Sequence, residues 1–215
     1  MHGFKKVMVI PAEDNIDEIS IIIPTYNRVD DLKSCLKSIL VQTKKPKEVL
    51  IVDDSEGDKT RCQVEAERME FVKNGITLRY LKNTRGKSSA IARNVGIDNA
   101  LGGIILFLDD DVILSEDYLE NISYVYANTS GCIGVQGYIL LKNKLNEFYN
   151  LMSMLVFYNY TGKNSCRVLP STCITYPHPL EKTINCEWLA GSNQSYLRSV
   201  RVEFKFDEIF RRYSW

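Results

Sequence analysis

The sequence carries no surplus of charge: Lys and Arg number 27 and Asp and Glu number 27, for a formal net charge of zero. That balance removes the clustered basic surface through which nucleic acids or anionic membranes are normally held. Long hydrophobic runs are also missing. The longest, around Ile104 to Leu108, falls far short of the roughly 20 residues that a spanning helix needs. Met1 to Lys6 is charged but is followed by no long apolar stretch and no small-residue cleavage site, so no signal peptide is expected and the cytosol is the expected compartment. The six cysteines (Cys35, Cys62, Cys132, Cys166, Cys173, Cys186) form no C-x-x-C pair. Their spacing excludes a metal ribbon or a dense disulfide scaffold, and reduced structural thiols are expected. Four N-x-S/T sequences, at Asn121, Asn128, Asn159 and Asn193, would matter only in a secreted protein. What remains is an ordinary globular composition, 215 residues at 45% hydrophobic and 25% charged, long enough for one domain or slightly more.

Strand and helix signals alternate through the first two thirds. Ile19 to Pro24 is a continuous apolar run closed by proline and a polar turn, as expected of a strand buried on both faces. Asp30 is placed to cap a helix with Leu32, Leu36, Ile39 and Leu40 inward, ending before Pro46. Val49 to Val52 predicts a second strand, Arg61 to Lys73 a helix with Val64, Met69 and Val72 on one side, and Leu78 to Leu81 a third strand. Lys87 to Leu101 predicts a helix with Ala90, Ile91, Val95 and Leu101 buried, stopped by Gly102-Gly103. Ile104 to Leu108 predicts a fourth strand, Ser115 the cap of a helix with Leu119, Ile122 and Tyr126 inward, and Ile133 to Leu140 a fifth strand. Beyond Leu140 the rhythm breaks: Asn143 to Tyr160 reads as helix, Pro170 to Leu180 as loop or short strands, Thr183 to Ala190 as strand and Ser192 to Val200 as a short helix. The alternation predicts an α/β fold, a mostly parallel central sheet with helices on both faces. In such sheets ligands bind beyond the carboxyl ends of the strands.

Two acidic clusters fall at those ends, Asp53-Asp54 after the second strand and Asp109-Asp110-Asp111 after the fourth. Acids there serve as turn formers or helix caps. Two clusters at one sheet edge repel unless a cation or donor groups offset them, and hard oxygen ligands suit Mg²⁺ or Mn²⁺, which keep waters and share substrate phosphates. The loop Asn83-Thr84-Arg85-Gly86-Lys87-Ser88-Ser89 fails as a P-loop, because Leu81 stands where that motif needs glycine. It reads either as a solvated helix terminus or as an anion site at a helix start with Lys87 and Arg93 nearby.

Taken in order, Ile21-Ile22-Ile23-Pro24-Thr25-Tyr26-Asn27-Arg28, Ile51-Val52-Asp53-Asp54-Ser55, Ala92-Arg93-Asn94-Val95-Gly96, Phe107-Leu108-Asp109-Asp110-Asp111, Trp188-Leu189-Ala190-Gly191-Ser192-Asn193 and Phe206-Asp207-Glu208 resemble the family 2 glycosyltransferases with the GT-A (Rossmann-like) fold. The likeness runs from about residue 19 to 215, which makes 1–18 an N-terminal extension, 19–112 a nucleotide-sugar-binding half and 113–215 an acceptor-side half. It implies that Pro24, Thr25, Tyr26 and Asn27 line the nucleotide pocket, that Asp54 accepts a hydrogen bond from the base, and that Lys87 and Arg93 meet the nucleotide or its phosphates. Asp109-x-Asp111 resembles a D-x-D motif, in which Asp111, with Asp109, would hold Mn²⁺ or Mg²⁺ and Asp109 or Asp110 would meet the ribose. A metal there bridges the diphosphate as a Lewis acid. Gly191, Ser192 and Asn193 resemble the acceptor-side loop, and Trp188 either offers a sugar its flat face or packs in the core.

The implied activity is transfer of a sugar, with inversion, from a UDP- or dTDP-sugar to the hydroxyl of a carbohydrate or lipid-linked acceptor, at the cytoplasmic face of a membrane. Inversion needs a carboxylate to take the acceptor proton, and the resemblance places it in a Glu-Asp pair a few residues after Phe206-Asp207-Glu208. The chain stops at Trp215. The expectation is therefore an N-terminal part of a longer protein that binds donor but lacks the base, with Asp207 as a substitute candidate. Two other readings stand beside it. A sugar nucleotidyltransferase would carry a Gly-rich loop after its first strand, whereas Thr25-Tyr26-Asn27-Arg28 has no glycine. A receiver-like nucleotide-binding module would open with the second strand.

Overall fold

The computed structural model describes residues 15–139, 160–162, 166–168, 174–177, 180 and 182–209. These fall into two compact units, one from 15–136 with 191–209 and the other within 137–190.

The first unit is a six-stranded sheet of order β3-β2-β1-β4-β8-β5. Its strands are β1 (Ile19–Thr25), β2 (Glu48–Asp53), β3 (Thr77–Lys82), β4 (Ile104–Phe107), β5 (Gly134–Gln136) and β8 (Gln194–Leu197). The first four run parallel, with Ile21 opposite Val49 and Leu106. The period of two sorts their side chains between the faces. Ile21, Ile23, Val49, Ile51, Ile104 and Leu106 enter one apolar cluster, with Leu32, Leu36, Val64, Phe71, Leu119 and Ile122. Ile22, Leu50, Val52, Ile105 and Phe107 enter the other, with Ala92 and Ile97. Helices α1 (Val29–Leu40), α2 (Lys59–Lys73) and α4 (Tyr118–Asn128) thus cover one face and α3 (Ser89–Asn99) the other. Gly96 lets α3 lie close: a Cβ there would stand 2.4 Å from Ile22 Cγ2.

Several elements differ from expectation. Helix α1 begins at Val29, which puts Asp30 and Asp31 in its first turn, where they favour the positive helix end, rather than at the cap. The N-cap of α4 is Asp117, not Ser115. On α2, Phe71 and Val64 are buried while Met69 and Val72 face solvent, and Leu101 lies exposed beyond α3. The strand expected over 133–140 is limited to Gly134–Gln136. The segment 183–190 has no strand ladder, whereas Gln194–Leu197, expected as helix, is strand β8. It runs antiparallel between β4 and β5. Its polar residues tolerate burial because they are paired: Ser195 Oγ donates to the Val135 carbonyl at 2.7 Å and lies 3.1 Å from the Tyr126 hydroxyl. A short helix α5 (Arg198–Glu203) follows. The expected helix over 143–160, with Phe148, Leu151, Leu155 and Tyr158, lies almost wholly outside the described residues, Tyr160 itself being strand, as does most of the loop over 170–180.

The second unit holds a two-stranded parallel pair, β6 (Tyr160–Gly162) and β7 (Thr175–Pro177). Within it the Trp188 indole N–H donates to the Thr175 carbonyl at 3.1 Å, and Glu187 accepts from the Val168 N–H and pairs with Arg167.

Candidate functional site

The parallel strands bring their polar ends to one edge. Thr25, the last residue of β1, is fully buried and links the two acidic clusters: its carbonyl accepts the Asp54 N–H at 3.0 Å, and its hydroxyl donates to Asp110 Oδ2 at 2.7 Å. Pro24 is buried beside it, Tyr26 is half-buried, and Asn27 is exposed with φ of 56°. That left-handed backbone is one that asparagine tolerates better than most residues. The Asn27 N–H donates to Ser55 Oγ at 2.7 Å, tying the β1 loop to the β2 loop.

The two β2 carboxylates have different work. Asp53 is structural, accepting from the Ser55 N–H and the Tyr80 hydroxyl beneath the loop. Asp54 faces the β3–α3 loop, accepting from Asn83 Nδ2 at 2.5 Å and from the Ser88 N–H at 2.9 Å. Burial holds its carboxyl above the usual range, partly offset by those two donors. Ser88 also caps α3, accepting the Ala90 N–H at 3.2 Å. Lys87 projects outward, 2.6 Å from Glu56 and 5.4 Å from the centre of the Tyr26 ring.

The Asp109-Asp110-Asp111 turn follows β4, with each carboxylate directed differently. Asp109 Oδ1 accepts from Arg93 Nη2 at 2.9 Å, and the same Arg93 nitrogen reaches the Gly191 carbonyl at 3.3 Å. The Asp109 N–H donates to the Ser192 carbonyl at 3.0 Å. Asp110 is buried between Thr25 and Arg28, while Asp111 is exposed and meets Arg28. Burial holds the carboxyls of Asp109 and Asp110 above the usual range. Beneath the turn, burial pushes the Cys35 thiol up to about 12, which leaves it protonated and inert.

The structure therefore brings together Pro24 to Asn27, Asp54, Lys87, Arg93, Asp109 to Asp111 and the loop Gly191 to Asn193. Asn193 is buried, and its carbonyl accepts from the Tyr118 hydroxyl at 3.1 Å. Asp207 is exposed and caps a turn, accepting the Ile209 N–H at 2.9 Å. Trp188 belongs to the other unit.

Three contributors had no assigned role in the sequence reading. Arg28 pairs with both Asp110 and Asp111. Asn83 holds Asp54. Asn94, buried on α3, grips the segment 206–208. Arg28 and Asn94 stand inside the family-like segments Ile21–Arg28 and Ala92–Gly96, but only the fold reveals their partners. The segment is also held by Arg85, 2.7 Å from Glu208, and by Arg201, whose guanidinium lies 4.1 Å from the centre of the Phe206 ring.

The residues that could hold a divalent cation of the Mg²⁺ or Mn²⁺ type are Asp111 and Asp109. The half-exposed carboxylate of Asp111 and the free oxygen of Asp109 are hard ligands, and guanidinium groups already stand against both. No group of three or more candidate ligands occurs among the described residues.

A mostly parallel sheet with helices on both faces and an acidic turn after β4 is the architecture of a GT-A domain. Residues 20–185 match the family described as Glycosyl transferase family 2, and the chain belongs to that family. It is 34% identical over 123 residues to an uncharacterized glycosyltransferase of Rickettsia conorii, a stretch that is 54% of this chain and 19% of the relative. It is 37% identical over 119 residues to the UDP-Glc:alpha-D-GlcNAc-diphosphoundecaprenol beta-1,3-glucosyltransferase WfgD of Escherichia coli, covering 51% of this chain and 45% of that protein. The matched stretches thus span less than half the length of these relatives. The mannosyltransferase PcManGT of Pyrobaculum calidifontis, solved in complex with GDP-Man and Mn²⁺, shares the fold with a TM-score of 0.55 at 19% identity, over 86% of this chain and 46% of that one. No helix among the described residues is long and apolar enough to cross a membrane.

Proposed function

We propose that this glycosyltransferase takes a UDP- or dTDP-linked sugar and transfers it, with inversion and divalent-metal assistance, to a hydroxyl of a carbohydrate or lipid-linked acceptor at the cytoplasmic face of a membrane. The observation that carries the reading is the double use of Thr25, which locks the Asp54 loop and the acidic turn to the end of one strand. A uracil- or thymine-type N–H has an acceptor in Asp54, whose oxygens each keep a lone pair beyond the bonds to Asn83 and Ser88. Tyr26 and Lys87 stand together at the same loop edge, and Lys87 exchanges Glu56 for a phosphate oxygen when donor binds. Asp111, with Asp109, would hold Mn²⁺ or Mg²⁺, which when bound neutralises charge on the leaving diphosphate. Arg93 fixes Asp109 against the Gly191–Asn193 loop, so the donor and acceptor sides share one rigid contact. The E. coli relative's named use of UDP-Glc and a diphosphoundecaprenol acceptor supports the donor and acceptor classes.

Calorimetry with UDP and dTDP, each with and without Mn²⁺, tests the binding half. Metal-dependent binding of at least one is expected, and its loss in Asp111→Ala with the fold retained. Failure of both nucleotides to bind in the presence of Mn²⁺ would remove the reading. For transfer by the protein, the anomeric configuration of the product, read by NMR, decides inversion against retention.

A further inference from the structure

Arg28 occupies an unusual place in the acidic turn. Its Nη1 nitrogen alone meets two carboxylates, Asp111 Oδ2 at 2.9 Å and Asp110 Oδ1 at 3.3 Å. The two contacts differ in kind. Asp110 is buried and anchored through its other oxygen by Thr25, so it stays in place whatever Arg28 does. The side chains of Arg28 and Asp111 are 50% and 52% exposed, and an ion pair so open to water contributes little to the fold and exchanges readily. The Arg28 backbone, by contrast, is fixed, because its carbonyl accepts the Leu32 N–H at 3.0 Å at the start of α1. The guanidinium can therefore leave Asp111 without disturbing the helix. It already offsets the charge of the carboxylate that a metal ion would use.

We propose that Arg28 is the resident counter-cation of the acidic turn, which a divalent ion must displace from Asp111 before it binds. The inference rests on the metal-dependent reading above and adds a competitor built into the chain. A divalent ion and a guanidinium at the same small carboxylate repel each other, so the affinity for metal alone is lowered while Arg28 stays against Asp111. A nucleoside diphosphate changes this balance. The displaced guanidinium, still tethered at the head of α1, gains phosphate oxygens as new partners, so nucleotide and metal favour each other's binding. Such coupling is reciprocal.

Electron paramagnetic resonance of free Mn²⁺ measures the exchange directly, without any transfer reaction. Mn²⁺ is titrated into the wild-type chain, Arg28→Gln, Arg28→Lys and Asp111→Asn, each with and without UDP, and circular dichroism checks each fold. Arg28→Gln should bind Mn²⁺ alone about tenfold more tightly than wild type, the size of one nearby charge in a wet site. Arg28→Lys, which keeps the charge, should stay near wild type. UDP should raise Mn²⁺ affinity more in wild type than in Arg28→Gln. Equal or weaker affinity in Arg28→Gln overturns the proposal, as does an equal gain in Arg28→Lys, which would mean that charge is not the cause. If wild type binds no Mn²⁺ even with UDP, or if Asp111→Asn binds it unchanged, the metal assignment itself fails and takes this inference with it.

Discussion

Asn94 grips the Phe206 peptide from both sides: its Oδ1 accepts the Phe206 N–H at 2.9 Å, and its Nδ2 donates to the Phe206 carbonyl at 2.9 Å. The remaining Nδ2 hydrogen goes to Glu208 Oε1 at 2.9 Å. A buried side chain on α3 thus fastens a distant segment next to Arg93, its neighbour in sequence, whose guanidinium lies 5.5 Å from the Phe206 ring centre. Replacing Asn94 by alanine removes three bonds and leaves the Phe206 groups to water. A loss of about 2 kcal/mol in urea unfolding is expected. A loss under 0.5 kcal/mol would show that the segment holds itself in place.

Glu48 closes a polar network at the opposite end of the sheet. It is 1% exposed and accepts from Ser20 Oγ at 2.7 Å, the Leu101 N–H at 2.7 Å and Arg79 Nη1 at 2.8 Å. Glu48→Gln keeps the shape but turns an amide hydrogen toward one of these donors. The expected cost is roughly 2–4 kcal/mol, toward the low side of the range for breaking a buried pair because Arg79 is partly exposed. Chemical denaturation checks it, and an unchanged midpoint would mean that the charge is not needed there.

Asp54 gives a pH signature with two opposite signs. Its carboxyl titrates above the usual range in the fold because burial disfavours the anion. In the window between the ordinary value, about 4, and the raised folded value, the folded state binds more protons than the unfolded one, so stability contributed by this group is lost as pH rises. Nucleotide binding runs the other way, since the base N–H needs the ionised acceptor. Thermal unfolding of wild type against Asp54→Asn should therefore show the wild type losing ground as pH rises through that window. Calorimetry with UDP should show wild-type affinity increasing over the same window and the variant's increasing less, since Asp109 and Asp110 still titrate there. Parallel pH profiles in both measurements would exclude Asp54 as the titrating group.

Gly96 sets the separation of α3 from β1. A methyl there would lie within 2.4 to 3.0 Å of three Ile22 side-chain atoms. Gly96→Ala should destabilise by about 1–3 kcal/mol through overpacking. Combined with Ile22→Ala it should cost less than the sum of the two single changes, because the second makes room for the first. Additive melting data would mean that the helix shifts without resistance.

Much of the fold was legible because the parallel strands are buried on both faces. Ile19 to Pro24, Val49 to Val52 and Ile104 to Leu108 are apolar at every position but Ser20, and each ends where polar residues begin. Those ends, at Thr25, Asp53 and Asp109, marked the site. Strand β8 escaped detection because Gln194-Ser195-Tyr196-Leu197 is mostly polar, and only its partners across the sheet make its burial tolerable. The more apolar stretch ending in Trp188 and Leu189 looked like a strand but has no ladder to join. On α2, spacing alone could not say that Phe71, rather than Met69 or Val72, would face the core.

The sequence by itself determined the alternation of strands and helices as far as α4, the family, and the identity of the acids at the strand ends, because hydrophobic period and short motifs are local properties of the chain. Only the tertiary structure decided what each acid does. Asp53 became a structural acceptor, Asp54 a partner of the β3–α3 loop, Asp110 a buried anchor and Asp111 the exposed group facing Arg28. Those roles depend on donors 27 to 85 residues away. A carboxylate's burial and partners are set by which chain segments the parallel sheet lays side by side, and spacing along the chain carries no record of that.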